Sequence, residues 1–204
     1  MSSTKDKNSA LKKKIHAIAN SFLIQAGHPT ALSPEQKEFA EVAEAFPHIF
    51  SENDESAYLY FWKVPVRFSY TYGLYANVDD LLEWLERLIT ENSGSHELIL
   101  STEAYLITIK ANWQNNGLKL ELDWMEKRSH RKIAELLNKK GPILIKITNF
   151  LKEWKIILYQ VINAVEKSGV VITDPNEKEK ILRLKKIVNR IEGRGKIYAL
   201  KDAG

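Results

Sequence analysis

The stretch YLITIKANWQNNGLKLELDW, residues 105–124, decides the fold. Apolar and polar side chains alternate through residues 105–113 and again through residues 118–124, which is the period of half-buried β-strands. Between the two runs lies Asn116-Gly117, the dipeptide that best suits a type I′ turn. The sequence therefore predicts an antiparallel β-hairpin.

The alternation also assigns the two faces of this hairpin. Ile109, Ala111 and Trp113 are expected to share the buried face with residues of the second strand: Leu120, Leu122 and Trp124. On the other face, Lys110 is expected across from Asp123, where opposite charges stabilise strand pairing. A hairpin with one apolar face needs other elements to cover it, and the flanking sequence predicts which elements these are.

Amphipathic helices are predicted to provide that cover, because apolar residues recur at three- and four-residue spacing in six segments. These are residues 11–26, 33–46, 77–89, 129–138, 145–167 and 175–191. The helix at 145–167 is expected to be the longest and to run through the core, because its apolar stripe is broad and unbroken. Capping boxes are predicted at 33–36 and 174–177, and Asn77 is predicted to cap the third helix. Glycines are expected to end three of the helices: Gly27, Gly169 and Gly193.

Period-two alternation predicts further strands outside the hairpin. Tyr58–Tyr72 is either one long strand or two strands that meet at Pro65, a residue that favours an edge or a bulge. Its even-numbered aromatic side chains are expected on the buried face, opposite Lys63 and Arg67. Two short strands are predicted near the end of the sequence: Val170–Thr173 and Lys196–Leu200.

These elements predict the α+β class, with an antiparallel sheet that has a central β-hairpin and is covered by about five or six helices. No internal repeat or low-complexity linker separates them. Residues 1–204 are therefore predicted to form a single domain, with residues 1–8 disordered. A chain of this length buries roughly 70% of the surface that its unfolded form exposes, and it needs no disulfide to fold. It contains no cysteine.

The chain is expected to be cytoplasmic and to make no contact with membranes. The absence of cysteine fits a reducing compartment. Three lysines at 12–14 precede an apolar run at 15–26, as in a signal peptide, but polar residues interrupt that run at helical spacing: His16, Asn20, Ser21 and Gln25. No stretch has the 18 or so continuous apolar residues that a membrane span requires.

The formal net charge of +4 hides a bipolar distribution. Residues 1–32 carry a net charge of +4, residues 33–103 carry −10, and residues 104–204 carry +10. Two interpretations are open. The acidic and basic parts either complement each other within the fold, or one of them faces a partner of opposite charge.

Sequence motifs for catalysis or metal binding are absent, so we predict a protein that is not an enzyme and that takes no cofactor and no metal. The five histidines lack partners at metal-ligand spacing. There is no nucleophile elbow, and Gly193–Lys196 lacks the spacing of a phosphate-binding loop. The carboxylates of Glu121 and Asp123 are expected on a solvated strand face, where they titrate normally.

Two other functions stay open: an enzyme whose site is built from distant residues, which predicts a deep pocket with convergent polar groups of perturbed pKa, and nucleic-acid binding. Arg183, Lys186 and Arg190 lie on one stripe of the last predicted helix and could bind phosphates by charge. The aromatic residues of Tyr58–Tyr72 could also stack on bases, with Lys63 and Arg67 interleaved. Because the aromatic and cationic side chains are expected on opposite faces, core packing is the favoured interpretation of that segment.

Three features together resemble bacterial immunity proteins of contact-dependent inhibition systems. They are the aromatic strand at 58–72, the acidic helix DDLLEWLE at 79–86 and the tryptophan-bearing hairpin at 105–124. The resemblance implies a cytoplasmic, non-enzymatic protein that binds and inhibits a cognate toxin by steric and electrostatic occlusion. Many such toxins are basic nucleases, so acidic helices at 35–44 and 79–86 would steer association. The implied partner-binding residues are Asp79, Asp80, Glu83 and Glu86.

Overall fold

The computed structural model describes residues 22–51, 56–127 and 131–201, and of residues 131–132 and 192–201 only the backbone. The described strands are β1 Phe22–Gln25, β2 Glu38–Phe39, β3 Ala57–Phe61, β4 Val64–Phe68, β5 Ser93–Ser101, β6 Tyr105–Gln114, β7 Gly117–Glu126, β8 Ile143–Lys146 and β9 Val171–Ile172. The described helices are α1 Val42–Ile49, α2 Tyr72–Tyr75, α3 Val78–Thr90, α4 Arg131–Asn138, α5 Ile147–Ser168 and α6 Pro175–Lys201. Two antiparallel sheets, β1-β3-β4 and β5-β6-β7-β8, confirm the predicted α+β class.

The predicted hairpin is β6–β7, but its turn lies one residue earlier than expected, at Asn115-Asn116. Asn115 has a φ of 55°, a left-handed conformation that asparagine tolerates. Lys110 therefore lies opposite Glu121, and the predicted pairing of Lys110 with Asp123 is wrong. The buried face is still the predicted one, because a shift of the register by two residues keeps every side chain on its face.

Asn116 gives a physical reason for this position of the turn. Its backbone carbonyl accepts a hydrogen bond from Ile147 N at 2.9 Å, and its side-chain Oδ1 accepts one from Thr148 N at 3.2 Å. The turn thus satisfies two N–H groups at the N-terminus of α5, where Lys146 offers no side-chain cap. The hairpin and the central helix are joined at this residue.

The aromatic segment at 58–72 contains two strands, which is one of the two predicted alternatives. The turn between the strands lies at Trp62-Lys63 and not at Pro65. Trp62 and Lys63 have φ values of 49° and 72°. With a two-residue turn, the odd-numbered residues of β3 share a face with the even-numbered residues of β4. Leu59 and Phe61 of β3 are therefore buried, while Tyr58 faces outward. Pro65 lies in β4, an edge strand, where its missing N–H is tolerated.

This turn also overturns the predicted separation of aromatic and cationic side chains. Tyr58 pairs directly with Arg67, and both side chains are on the exposed face of the sheet. Arg67 Nη1 forms an ion pair with Glu103 Oε2 at 3.2 Å. The aromatic residues that do pack in the core come from alternate positions of the two strands.

The first described segment is a strand, so the helix predicted for residues 11–26 is wrong from Phe22 onward. Phe22 pairs with Phe61 in the register of β1 and β3, and the Ile24 N–H donates to Glu153 Oε2 at 2.9 Å. Phe22 and Ile24 are buried at alternate positions. The short apolar run fits either period, and tertiary contacts select the strand. Residues 1–21, including the predicted disorder at 1–8, lie outside the described residues.

The second helix starts at Val42, later than predicted. The expected capping box at 33–36 does not form, because the following residues join β9 in a short parallel pair. Val171 N donates to Lys37 O at 2.7 Å, and Lys37 Nζ donates to Ser168 O at 2.9 Å. The acidic residues of 35–44 are consequently not one helical stripe.

The C-terminal part of the chain is helical, in place of the predicted strand at 196–200. α6 has 27 residues and passes through Gly193, whereas α5, which was expected to be the longest helix, has 22. A glycine inside a helix costs only about 1 kcal/mol relative to alanine, so it is no obligatory stop. Gly169, by contrast, ends α5 as predicted, with a left-handed φ of 69°. Asp174 Oδ1 caps α6 by accepting Asn176 N at 2.7 Å.

Helix α5 lies at the centre of the core. Phe150 contacts Phe22 of β1 and Trp84 of α3, each with a ring-centroid distance of 4.9 Å. Trp154, one turn later, meets Phe68 of β4 edge to face. The three-stranded sheet and α3 therefore pack on the same helix. Across the described ranges, no helix has the length and apolar character of a membrane span.

Gly94 of β5 provides a test of this packing. A methyl group at Gly94 would lie 2.5 Å from Trp113 Cζ2 and 2.8 Å from Glu91 Oε2. We expect Gly94→Ala to lower the free energy of unfolding by about 1–3 kcal/mol, because the indole must shift. Gly141→Ala is the matched control, since nothing lies within 4 Å of its added methyl group. Urea denaturation measures both, and equal stabilities would contradict the described position of Trp113.

Candidate partner-binding surface

The four carboxylates predicted to bind a partner all lie on α3. Its apolar face is buried through residues of the core: Val78, Leu81, Leu82, Trp84, Leu85 and Leu88. Asp79, Asp80 and Glu83 are exposed on the outer face, and Glu86 is half-buried. Asn77 precedes the helix as predicted, but its side chain makes no capping hydrogen bond.

Helix α6 brings the predicted basic residues against the predicted acidic ones. Arg183 Nε donates to Glu86 Oε1 at 3.0 Å, and Arg183 Nη2 donates to Glu86 Oε2 at 2.8 Å. One turn earlier, Lys180 Nζ lies 2.9 Å from Asp79 Oδ1. The two candidate sites, one for a protein and one for nucleic acid, therefore meet along one helix–helix contact. At this contact the acidic and basic parts of the chain complement each other within the fold.

The ion pair at Glu86 changes the protonation equilibria of both partners. The hydrogen bond from Arg183 holds the pKa of the Glu86 carboxyl below its usual range, against a smaller opposing effect of burial. The same hydrogen bond raises the pKa of Arg183. Burial disfavours the charge of Lys180, but its bonds to Glu177 and Asp79 raise its pKa overall. Glu86, Arg183 and Lys180 are thus held in their charged forms.

The remaining cations of the predicted nucleic-acid site also lie among carboxylates. Lys186 Nζ forms an ion pair with Glu179 at 2.9 Å. Arg190 acts on Glu86 through its charge and helps to lower the pKa of that carboxyl. A cleft of about 480 Å³ between α3 and α6 is lined by these residues and by Glu83. Its mixed charge is unlike the single-sign surface that a polyanion requires.

Asp80 and Glu83 are the two predicted carboxylates that α6 does not use. Among the described residues, neither forms an ion pair within 4.0 Å, and both are exposed. Asp80 begins a stripe at helical spacing whose other members approach β5. Trp84 stacks on His96 with a centroid distance of 6.2 Å, and Arg87 Nη1 lies 3.4 Å from His96 Nδ1. Asp80 therefore lies on the stripe of α3 that approaches β5, whereas Glu83 lines the cleft beside α6.

No element is predicted over residues 91–104, where the structure has strand β5. The signal is present at its C-terminal end, because buried Leu98 and Leu100 alternate with exposed Glu97 and Ile99. The first half of the strand, Ser93–His96, is polar and gives no such signal. β5 is an edge strand of the four-stranded sheet, which makes it a candidate functional element that sequence reasoning missed.

The outer face of the four-stranded sheet has no cover within residues 22–51, 56–127 and 131–201. Ile99 is 50% exposed and Met125 is 63% exposed, with half-buried Leu106 between them. At the other end of this face, a groove of about 770 Å³ is lined by Leu144, Lys119 and other side chains of the sheet. Large apolar groups are thus exposed on the face of the sheet opposite to the one on which Leu98 and Leu100 are buried.

Outside the contact of α3 with α6, some titratable side chains of the described residues have pKa values shifted by burial or by ion pairing. In the described portion of the chain, no group of three or more His, Asp or Glu side chains could hold a metal ion. Burial strongly raises the pKa of the Tyr70 hydroxyl, which donates to Gln160 Oε1 at 2.6 Å and so ties two elements together. Glu121 and Asp123 are exposed on β7, as predicted. The predicted normal titration of Glu121 is wrong, because a hydrogen bond from Lys119 lowers the pKa of this carboxyl.

Comparison with known proteins does not add a family to these observations. No protein-family model, curated protein or solved structure matches the chain. The resemblance to immunity proteins stays a prediction, and the function has to be argued from the surface described above.

The Glu86–Arg183 pair can be tested by a double-mutant cycle with Glu86→Gln and Arg183→Gln. Both side chains are about one-third exposed, so water screens the pair, and we expect a coupling energy of about 1 kcal/mol near pH 7. Because the pKa of Glu86 is lower in the folded state, this stabilisation is fully present above the unfolded pKa. It is lost as the pH falls through the folded pKa. A coupling energy near zero at pH 7 would contradict the interlock of α3 and α6.

Proposed function

We propose that this chain is a non-enzymatic protein-binding module, and specifically a cytoplasmic immunity protein that neutralises a cognate toxin. The observation that carries the proposal is the exposure of Ile99 and Met125 on an uncovered face of the described sheet. Asp80 and Glu83 are exposed on α3, the helix whose Trp84 stacks on His96 of β5 in the same sheet. Exposed apolar patches rimmed by charged residues are typical of protein interfaces.

Inhibition would take place by occlusion. Asp80 and Glu83 would steer a basic toxin towards the surface, which raises the rate of association more than the final affinity. Ile99 and Met125 would then be buried as apolar anchors, and the sheet would cover the active site of the toxin or a neighbouring region. Asp79 and Glu86, which belong to the same predicted site, would contribute indirectly by holding α6 in place.

The nucleic-acid alternative has no comparable support among the described residues. Arg183 would have to leave the bidentate contact with Glu86 before it bound a phosphate, and Lys186 would have to leave Glu179. Breaking each pair offsets part of the electrostatic gain from counterion release. On the side of β3–β4 where Tyr58 and Arg67 lie together, Arg67 is already paired with Glu103 at 3.2 Å.

The first experiment is affinity purification of the tagged protein from its own host after nuclease treatment. We expect one stoichiometric protein partner, identified by mass spectrometry, whose toxicity to the host is suppressed when this chain is co-expressed. Nucleic acid that is released by salt, with no protein partner, would contradict the proposal and favour the alternative.

Charge reversal at Asp80 and Glu83 then tests the surface. With the identified partner, we expect the double variant Asp80→Lys, Glu83→Lys to lower the association rate constant by about tenfold at low salt, with a smaller change in dissociation. Glu135→Lys on α4 is the matched control, because it makes the same kind of change on an exposed helical position away from β5. Equal rates for all variants would exclude this surface.

A further inference from the structure

Three hydrogen bonds show which peptide groups of β5 point away from the sheet. In an antiparallel pair, alternate residues direct both their N–H and C=O groups to the partner strand, and the others direct them to the opposite side. Asn115 N donates to Asn92 O at 2.6 Å, and Asn92 directly precedes β5. The peptide groups of the even-numbered residues of β5 therefore point towards β6. Ser101 N and Ser101 O are both bonded to Asn77, which is not part of the sheet. The odd-numbered residues therefore face the open edge.

Asn77 occupies the position of a neighbouring strand at one end of this edge only. Its Oδ1 accepts Ser101 N at 2.9 Å and its Nδ2 donates to Ser101 O at 3.0 Å, the pair of bonds that a strand residue would make. Beyond it, the peptide groups of Ser95, Glu97 and Ile99 have no strand beside them in the described ranges. All three residues are exposed.

The open edge also lacks the usual protection against strand pairing. Natural edge strands carry lysine, proline or a bulge that prevents another chain from pairing with them. Ser93–Ser101 contains neither lysine nor proline, and its pairing with β6 runs without a bulge. An edge of this length without such protection is a template for a further strand.

The charge beside the edge is negative. Glu97 is on β5 itself with 57% of its side chain exposed, and its ion pair with Lys110 is long, at 3.9 Å. Asp80 is exposed in the first turn of α3, three residues after Asn77, which is bonded to the edge at Ser101. The nearest cation on α3, Arg87, is neutralised by Glu91 at 2.9 Å. A strand that pairs here meets the carboxylates of Glu97 and Asp80, of which only Glu97 has an ion-pair partner among the described residues.

We propose that the edge of β5 binds an extended, basic segment of a protein partner by strand addition. The peptide groups of Ser95, Glu97 and Ile99 supply main-chain hydrogen bonds, and Glu97 selects a lysine or arginine on the incoming strand. Asn77 sets the end of the site, because it already occupies the bonds of Ser101. The proposal rests on the protein-binding function above and adds the mode of binding and the chemistry of the bound segment.

The test uses a random heptapeptide display library selected on the immobilised full-length chain. We expect the enriched peptides to combine lysine or arginine with β-branched residues. One enriched peptide is then titrated into the protein, and amide exchange is followed by NMR. Binding should slow exchange at Ser95, Glu97 and Ile99. Protection elsewhere, or the absence of any enriched peptide, would overturn the proposal.

Two controls distinguish strand addition from simple charge attraction. Methylation of alternate backbone nitrogens of the peptide keeps its charge but removes its donors, and we expect affinity to fall by at least about tenfold. Glu97→Lys should weaken binding by about tenfold through charge, whereas Glu135→Lys should leave it unchanged. Equal binding of the methylated and unmethylated peptides would overturn the proposal.

Ser95→Pro extends the test to the natural partner. Proline at this position removes an N–H that faces the open edge and leaves the bonds to β6 in place. If a captured partner binds Ser95→Pro and Glu97→Lys as tightly as it binds the wild type, strand addition is wrong while the protein-binding function stands. If Ser95→Pro fails to fold, Glu97→Lys and the methylated peptide still decide between the outcomes.

Discussion

The aromatic contacts of Phe150 are the interaction on which the rest of the structure depends. This one side chain of α5 touches Phe22 from the three-stranded sheet and Trp84 from α3. The two antiparallel sheets do not share a hydrogen-bonded strand, so their relative position is determined by packing on α5 and by contacts such as Phe61 with Trp124. Burial of α5 thereby fixes the position of α3 and, through it, the edge of the four-stranded sheet.

With α3 held in this position, the acidic charge of the middle of the chain divides into two parts. Glu86 and Asp79 face α6 and are neutralised by Arg183 and Lys180. The other two carboxylates, Asp80 and Glu83, are exposed and have no ion-pair partner among the described residues; Asp80 lies on the stripe that approaches β5, and Glu83 lines the cleft beside α6. An acidic segment that looks uniform in sequence is therefore used partly within the fold and remains partly available to a partner. Only the available part supports the proposed binding function.

The sequence contains enough information for the hairpin, its buried face, α5 and the class of the fold, because these depend on local periodicity. Local periodicity does not predict the turn at Asn115-Asn116, because its position depends on the hydrogen bonds of Asn116 to the start of α5. The strand at Phe22–Gln25 and the late start of α1 likewise depend on partners more than 30 residues away. For the candidate site, charge and helical spacing identify the acidic residues. Which of these acidic residues remain available to a partner depends on where α6 packs, and local sequence patterns do not predict that packing.

The open edge of β5 is the feature that joins the fold to the proposed function, and amide hydrogen exchange of the isolated protein tests it most directly. Exchange at Ser95, Glu97 and Ile99 should be at least about tenfold faster than at His96 and Leu98, because only the even-numbered amides are bonded to β6. Alternating protection along the strand would agree with an edge that is free to receive a partner. Uniformly slow exchange would show that the edge is already occupied and would contradict the proposed mode of binding.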